Sequence, residues 1–316
     1  MKTVNFTSCL SDEMEHFVKL KQSSGSDYHN SAKLLLRFDK YLVELSFKDK
    51  ILANGIFQNY FKKIRHLCGR GFSNHYSVLQ QFSAWLNQHK TASYVLEKRP
   101  AIDRSYSRSA YIFSIDEIKA ILESSGGFSK RKEPVPGLYQ TLFGLLYSSG
   151  IRIGEALALN HADYIKGKNL IYIREGKFRK DRNLILSSSS ANLLNKYIDS
   201  CETILTFSDE SPLFVNIHRR RLKYENARRA FIEALKRSGV NSDSRLHNFR
   251  HTFAVHRLLQ WYKTDQNINA KLPFLSAYMG HVDITSTQVY LETAGELLQA
   301  GAERFNIFFL NHKGAL

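Results

Sequence analysis

Leu246-His-Asn-Phe-Arg-His-Thr-Phe-Ala-Val-His256 is the stretch around which the rest of the chain organises. His247 and Arg250 are three apart, so on a helix both project from one face, while Phe249 and Phe253 turn elsewhere into a core. The apolar positions keep helical spacing to about residue 262. His251 stands beside the pair, and His247 with His251 has the i, i+4 spacing of a metal site. No His-Glu-x-x-His pattern occurs and no acidic ligand is nearby, which argues against metal.

Downstream runs Leu275-Ser-Ala-Tyr-Met-Gly-His-Val-Asp-Ile-Thr-Ser-Thr-Gln-Val-Tyr-Leu291. Gly280 reads as a helix stop, with His281 on the turn after it and Tyr290 nine residues later on a new short helix. One tyrosine among sixteen is by default a packing residue; its company is what sets Tyr290 apart. Upstream, Leu138, Leu142, Leu145 and Leu146 mark a buried helix that stops at Gly150, and Arg152 follows among apolar neighbours. A guanidinium there needs a carboxylate or an anion, and Glu155 three residues on can supply the first without excluding the second.

Between these segments, Asn169 to Glu175 alternates with β-branched residues and Asn183 to Leu186 answers it. The pair predicts a β-hairpin whose tip is Gly176-Lys-Phe-Arg-Lys-Asp-Arg182. Lys177 and Lys180 on such a turn are either solvated or able to reach a phosphate site. Helices are expected near 190–204, 223–237 and 246–262. The fold class read here is mainly α with a small β-hairpin.

The first 97 residues also read as helical, with Leu34, Leu35, Phe38 and Leu42, then Phe57, Tyr60, Phe61 and Ile64, then Val78, Leu79, Phe82 and Leu86 at helical spacing. Ser24-Gly25-Ser26, Asn54-Gly55 and Gly69-Arg70-Gly71 separate the runs as breakers. Residues 98–111 hold four basic side chains, one proline and little periodicity, and predict a linker. The division is therefore a helical unit over 1–97, whose dotted basic side chains fit a solvated face or a grip on duplex DNA, the linker, and a second unit over 112–316 opened by a capping box of Ser114 and Glu117.

A net charge of +16 with a pI near 9.7 suits a polyanionic partner, because each cation placed on a phosphate releases condensed counterions. Cys9, Cys68 and Cys201 are scattered, which fits neither a disulfide framework nor a zinc ribbon and points to a reducing compartment. No stretch approaches the ~20 apolar residues of a membrane span. The expectation is a cytoplasmic, DNA-associated protein.

Taken together, two arginines, a lysine, two histidines and a tyrosine without a carboxylate cluster describe metal-free attack on a phosphodiester. Guanidiniums can clamp the charge that builds on the non-bridging oxygens. A phenol of pKa ~10 needs a basic neighbour and cationic surroundings to become a nucleophile.

In their order and spacing these segments resemble the tyrosine recombinase family of phage integrases, chromosome-dimer resolvases and transposon-borne recombinases. The resemblance covers roughly residues 112–292. It implies a two-domain C-clamp around double-stranded DNA, acting without cofactor, metal or ATP. It assigns Arg152 and Arg250 to the scissile phosphate, Lys177 to the general acid, His247 to proton transfer, His281 to a phosphate hydrogen bond, and Tyr290 to the nucleophile. It also implies four protomers, as a homo-tetramer or as a mixed assembly with sister recombinases.

Two features depart from the commoner members. The interval from Arg250 to His281 is longer, with a polar insertion over Trp261–Lys271, and Phe178 follows Lys177 where many relatives carry glycine, so Lys180 stays a rival acid. The wording around Leu272-Pro-Phe-Leu and Tyr290-Leu-Glu-Thr is similar to recombinases carried with sister recombinases on mobile elements. A type IB topoisomerase would share the chemistry, and a DNA-binding accessory protein would share the surface without it.

Overall fold

The computed structural model describes residues 4–25, 28–67, 69–89, 92–97, 110–128, 135–174, 181–204, 208–240, 243–264, 267–280, 287, 290 and 302. The chain divides into two compact units, Met1–Tyr106 and Ser107–Leu316, each with its own apolar core.

Among the described residues the first unit has four helices, α1 (Ser11–Ser23), α2 (His29–Glu44), α3 (Asn54–Lys63) and α4 (Gly69–His89). Leu35, Phe38 and Leu42 from α2 meet Phe57 and Tyr60 from α3 and Leu79, Phe82 and Leu86 from α4, all buried. Phe38 stacks on Phe57 at 5.6 Å and meets Tyr60 edge-on at 5.1 Å, geometries that add to the area that aromatic rings bury. Asp39 is fully buried and accepts the backbone N–H groups of Thr7 and Ser8 at 2.9 Å each. That satisfies the carboxylate and pins the segment before α1 onto α2.

Two of the three expected breakers lie within helices. Asn54-Gly55 and Gly69-Arg70-Gly71 form the first turns of α3 and α4. First-turn N–H groups have no intrahelical partner in any case, and burial of Phe57, Tyr60 and Phe61 carries the short α3 despite its glycine. On α2, Lys33, Arg37 and Lys40 are exposed; at spacing i, i+4, i+7 they share one face.

The second unit opens with α5 (Ile115–Ser125). Ser114 Oγ accepts from Glu117 N at 3.1 Å, and Ser114 N donates to the Glu117 carboxylate at 2.8 Å, the reciprocal capping box that the sequence predicts. After α6 (Leu138–Ser149) and the short α7 (Ile153–Ala158) come β1 (Tyr164–Ile165), β2 (Leu170–Ile173) and β3 (Arg182–Ile185). Helices α8 (Ser188–Ile204), α9 (Tyr224–Ser238), α10 (Asn248–Lys263) and α11 (Ile268–Met279) follow. The strands form one antiparallel sheet in the order β1-β2-β3, with Leu170 opposite Ile185 and Ile173 opposite Arg182. Ile171, Ile173 and Leu184 are buried while Ile185 is exposed, as period-2 alternation requires. The sheet has one strand more than the hairpin read from the sequence, because β1 is only two residues long and shows no alternation.

At the centre, Phe143 of α6, Phe231 of α9 and Phe249 of α10 pack with Phe113, ring centroids 5.4–6.3 Å apart. This cluster fixes α10 against α6 and so fixes the backbone that carries His247, Arg250 and His251. A second apolar group of Phe253, Leu258, Leu272, Leu275, Met279 and Tyr290 joins α10 to α11. Within the polar insertion, residues 261–263 complete α10 and residues 268–271 begin α11, where the Asn267 side chain caps the helix by accepting from Ala270 N at 3.1 Å. Linker residues 98–109, the hairpin tip 175–180 with Lys177 and Lys180, His281, and residues 296–316 apart from Ala302 lie outside the described residues.

Gly150 ends α6 in the left-handed conformation (φ 63°), and a Cβ there would sit 2.4 Å from Phe253 Cδ1. Gly150→Ala is expected to lower stability in urea unfolding by more than the 1–2 kcal/mol that the backbone alone costs. Gly154→Ala in α7, whose Cβ meets nothing within 4 Å, is expected to leave the midpoint unchanged or raise it.

Candidate active site

The C-terminal end of α11 is where the site is assembled. Gly280 N donates to the Ser276 and Ala277 carbonyls, while the carbonyls that follow have no intrahelical donor and lie at the negative end of the helix dipole. Three successive carbonyls there each accept from a different arginine. Tyr278 O takes Arg182 Nε at 3.2 Å, Met279 O takes an Arg250 nitrogen at 2.7 Å, and Gly280 O takes an Arg152 nitrogen at 2.8 Å. Gly280 is left-handed (φ 68°), and a Cβ on it would lie 2.9 Å from the Arg182 guanidinium, so a side chain at 280 would displace that arginine.

Arg250 is 2% exposed and also donates to Gly150 O at 2.5 Å. It thus bridges the C-terminal ends of α6 and α11, two concentrations of partial negative charge that compensate its burial. Arg152 closes the extended link between α6 and α7. One of its nitrogens donates to Glu155 at 2.7 Å, and its backbone N–H donates to the same carboxylate at 3.1 Å. Arg182, the first residue of β3, grips Glu155 from the other side through two nitrogens, at 3.1 and 2.7 Å. Burial would raise the Glu155 carboxyl, but the hydrogen bonds and charges of Arg182 and Arg152 outweigh it and hold it at about 2.

Tyr290 is 5% exposed and in helical conformation. Its hydroxyl lies 3.2 Å from His251 Nδ1. Burial raises the phenol pKa, opposed by the charge and hydrogen bond of Arg250 and by the charge of Arg152. His247 precedes α10 and meets His251 edge-on, with ring centroids 4.7 Å apart. Burial, then His251, Arg250 and Arg152, lower the His247 pKa to about 4, and burial and Arg250 lower that of His251. Both imidazoles are therefore neutral near pH 7 and able to accept a proton. Burial and Arg152 bring Arg250 down to about 10, which leaves it charged near pH 7.

Of the residues that the sequence singles out, Arg152, His247, Arg250 and Tyr290 share this pocket; Lys177 and His281 belong to segments outside the described residues. The sequence reading missed Arg182 as a site residue and gave His251 no part. Among the described residues no three His, Cys, Asp or Glu side chains are grouped to hold a metal ion, and no helix is long and apolar enough to cross a membrane. The arrangement is three guanidiniums around one carboxylate, beside a buried phenol and two neutral imidazoles. It can hold a tetrahedral anion and hand a proton away from the phenol.

Arginines thus surround a buried tyrosine hydroxyl, an arrangement able to receive a phosphoryl group. Residues 113–296 match the family model described as the phage integrase family, and the chain belongs to that family. It is 27% identical over 95% of its length to a putative integrase/recombinase, y4rE, of Sinorhizobium fredii, covering 96% of that relative. It is 31% identical to the tyrosine recombinase XerC of Chlamydia pneumoniae, covering 49% of this chain and 47% of that one. Its fold is similar to that of the Tn1549 transposon integrase in complex with circular intermediate DNA (TM-score 0.65, 15% identity, 93% and 99% of the two chains). It is also similar to that of the XerH site-specific recombinase bound to a palindromic difH substrate (TM-score 0.63, 19% identity, 88% and 79%).

Glu155 generates a pH prediction. Its folded-state pKa lies below the ordinary 4.5, so the stability it contributes is in full force above about pH 4.5 and is lost as pH falls toward 2. Urea unfolding across that interval is expected to show the wild type losing about 3 kcal/mol more than Glu155→Gln. The variant should already be the weaker at neutral pH, because two partly buried guanidiniums have lost their counter-ion.

Proposed function

We propose that this chain is a site-specific recombinase that cuts and rejoins DNA strands through a covalent 3′-phosphotyrosine at Tyr290. The observation that carries the reading is the buried Tyr290 hydroxyl, within reach of a neutral imidazole and under the charge of Arg250 and Arg152. Arg152 and Arg250 bind the scissile phosphate. Each guanidinium offers five N–H donors, and the carbonyl bonds at Gly150, Met279 and Gly280 set its plane before DNA arrives, so no reorganisation is needed as charge develops.

Tyr290 attacks phosphorus, the 5′-oxygen departs, and Lys177 protonates it, with Lys180 the alternative donor. His247 assists proton transfer and His281 hydrogen-bonds the phosphate. Because the phosphotyrosine keeps the bond energy, a 5′-hydroxyl from a partner duplex reverses the step without ATP or metal. Two rounds pass through a Holliday junction, which calls for four protomers, identical or mixed with sister recombinases. The exposed Lys33, Arg37 and Lys40 on α2 support duplex binding by the first unit, and residues 98–109 would lie along a groove.

Duplexes nicked beside the crossover site trap the covalent state. In EDTA the wild type is expected to form a DNA–protein adduct that survives denaturing gels, and Tyr290→Phe none. Arg250→Ala should slow adduct formation at least about 100-fold, the scale of losing one charge-stabilising donor. Absence of any adduct on DNA that the protein binds would move the reading to a DNA-binding accessory protein, and relaxation of supercoils by a monomer would move it to a type IB topoisomerase. Whichever of Lys177→Ala and Lys180→Ala regains its rate on a substrate with a 5′-bridging sulfur marks the general acid, since a thiolate of pKa ~8.5 leaves without a proton.

A further inference from the structure

Of the two imidazoles in the pocket, the sequence pattern selects His247, but the one in reach of the nucleophile is His251. Its Nδ1 lies 3.2 Å from the Tyr290 hydroxyl, with ring centroids 5.4 Å apart and planes inclined at 58°. His247 stands behind it, edge-on at 4.7 Å. Building on the strand-transfer reading above, we infer that His251 is a catalytic residue of this chain, the base that takes the Tyr290 proton as the phenol attacks.

Three observations converge on this role. The first is placement. Asn248 Nδ2 donates to Tyr111 O at 2.8 Å and Phe113 N donates to Thr252 Oγ1 at 3.1 Å. These bonds fix the first turns of α10 on both sides of His251, so the imidazole is held by backbone that cannot drift. The second is the chemistry of the pair. A phenol donating to Nδ1 needs the tautomer with hydrogen on Nε2, and that tautomer accepts the proton with no ring rotation.

The third is the charge around the ring. The groups facing it are Arg250 on its own helix, His247 at the cap just before that helix and Tyr290 from beyond it, with Arg152 acting on His247 and on Tyr290. No described carboxylate acts on His251. The ring is therefore kept neutral before reaction, and it becomes a cation only when a phosphate between Arg152 and Arg250 supplies the compensating negative charge.

The step balances. The Tyr290 O–H bond breaks and its proton passes to Nδ1. The oxygen lone pair forms the O–P bond, and the P–O5′ pair leaves with the 5′-oxygen, which is protonated by the hairpin lysine. On rejoining, the 5′-hydroxyl attacks as its proton passes back to the hairpin lysine, the P–O bond to Tyr290 breaks with its electron pair going to the tyrosine oxygen, and His251 returns the proton to that oxygen.

The test is single-turnover adduct formation on nicked duplex across pH. His251→Gln keeps a hydrogen-bond acceptor but cannot take a proton; it is expected to form the adduct about 100-fold more slowly at neutral pH, with the deficit closing as pH rises and hydroxide does the work. Replacing Tyr290 with a fluorinated, more acidic tyrosine should restore much of the rate to His251→Gln while changing the wild type little. In the free protein, ¹⁵N resonances of His251 should move toward the other tautomer in Tyr290→Phe, a readout that needs neither DNA nor a His251 variant.

A His251→Gln rate equal to wild type, a deficit that neither pH nor fluorination relieves, or an unmoved His251 resonance overturns the assignment while leaving the wild-type adduct, and so the strand-transfer reading, in place. A wild type that forms no adduct on DNA it binds overturns that reading, and the assignment with it.

Discussion

Everything at the site hangs on the attraction between arginine side chains and the unsatisfied carbonyls at two helix ends. Burying a guanidinium is costly, and a buried carboxylate for each would answer it by neutralising the charge needed for an anion. Here backbone oxygens do most of the compensation. Tyr278, Met279 and Gly280 receive one arginine each, and Gly150 receives Arg250 from the opposite direction. Carbonyl dipoles satisfy the N–H groups without removing the net positive charge. Among the described residues Glu155 alone contributes a formal negative charge to this cluster, and it is shared between Arg152 and Arg182.

This explains why distant parts of the second unit are committed to one small volume. Arg182 brings the sheet to α11, Arg152 brings the α6–α7 link, and Arg250 brings α10. The aromatic packing of Phe113, Phe143, Phe231 and Phe249 sets the approach of α6 and α10 so that one side chain can span both helix ends. Core packing and site geometry are thus the same constraint viewed from two sides. A shift of α10 that loosened the phenylalanines would also lengthen the Arg250 bonds.

Much of this was legible in the sequence because its signals are local. The capping box at Ser114, the alternation around Ile171 and Ile173, and the glycines after α6 and α11 each fix a short piece of backbone by rules that need no tertiary context. The clustering of Arg152, His247, Arg250 and Tyr290 was legible only through their joint pattern, since each residue alone has an ordinary structural reading. Arg182 was illegible for a physical reason. Its partners, Glu155 and the Tyr278 carbonyl, come from other elements, and nothing in a run of basic hairpin residues marks which one turns inward. The choice between His247 and His251 likewise depends on where Tyr290 returns to α10, which spacing along the chain does not specify. The two-residue β1 and the glycines inside the first turns of α3 and α4 escaped because burial of neighbours overrode weak local preferences.

Gly150 serves two masters at once. Its left-handed turn and its missing side chain let Phe253 pack, while its carbonyl holds Arg250. The ways in which such a chain can decay are correspondingly unequal. Damage at this position takes folding and phosphate binding down together, and a cell clears the product. Loss of the Tyr290 hydroxyl removes one polar group and leaves the carbonyl bonds of Arg152, Arg182 and Arg250 in place. On the role proposed for Tyr290, a lineage can give up strand cutting through that hydroxyl and keep its fold, whereas a change at Gly150 costs the fold and the arginine together.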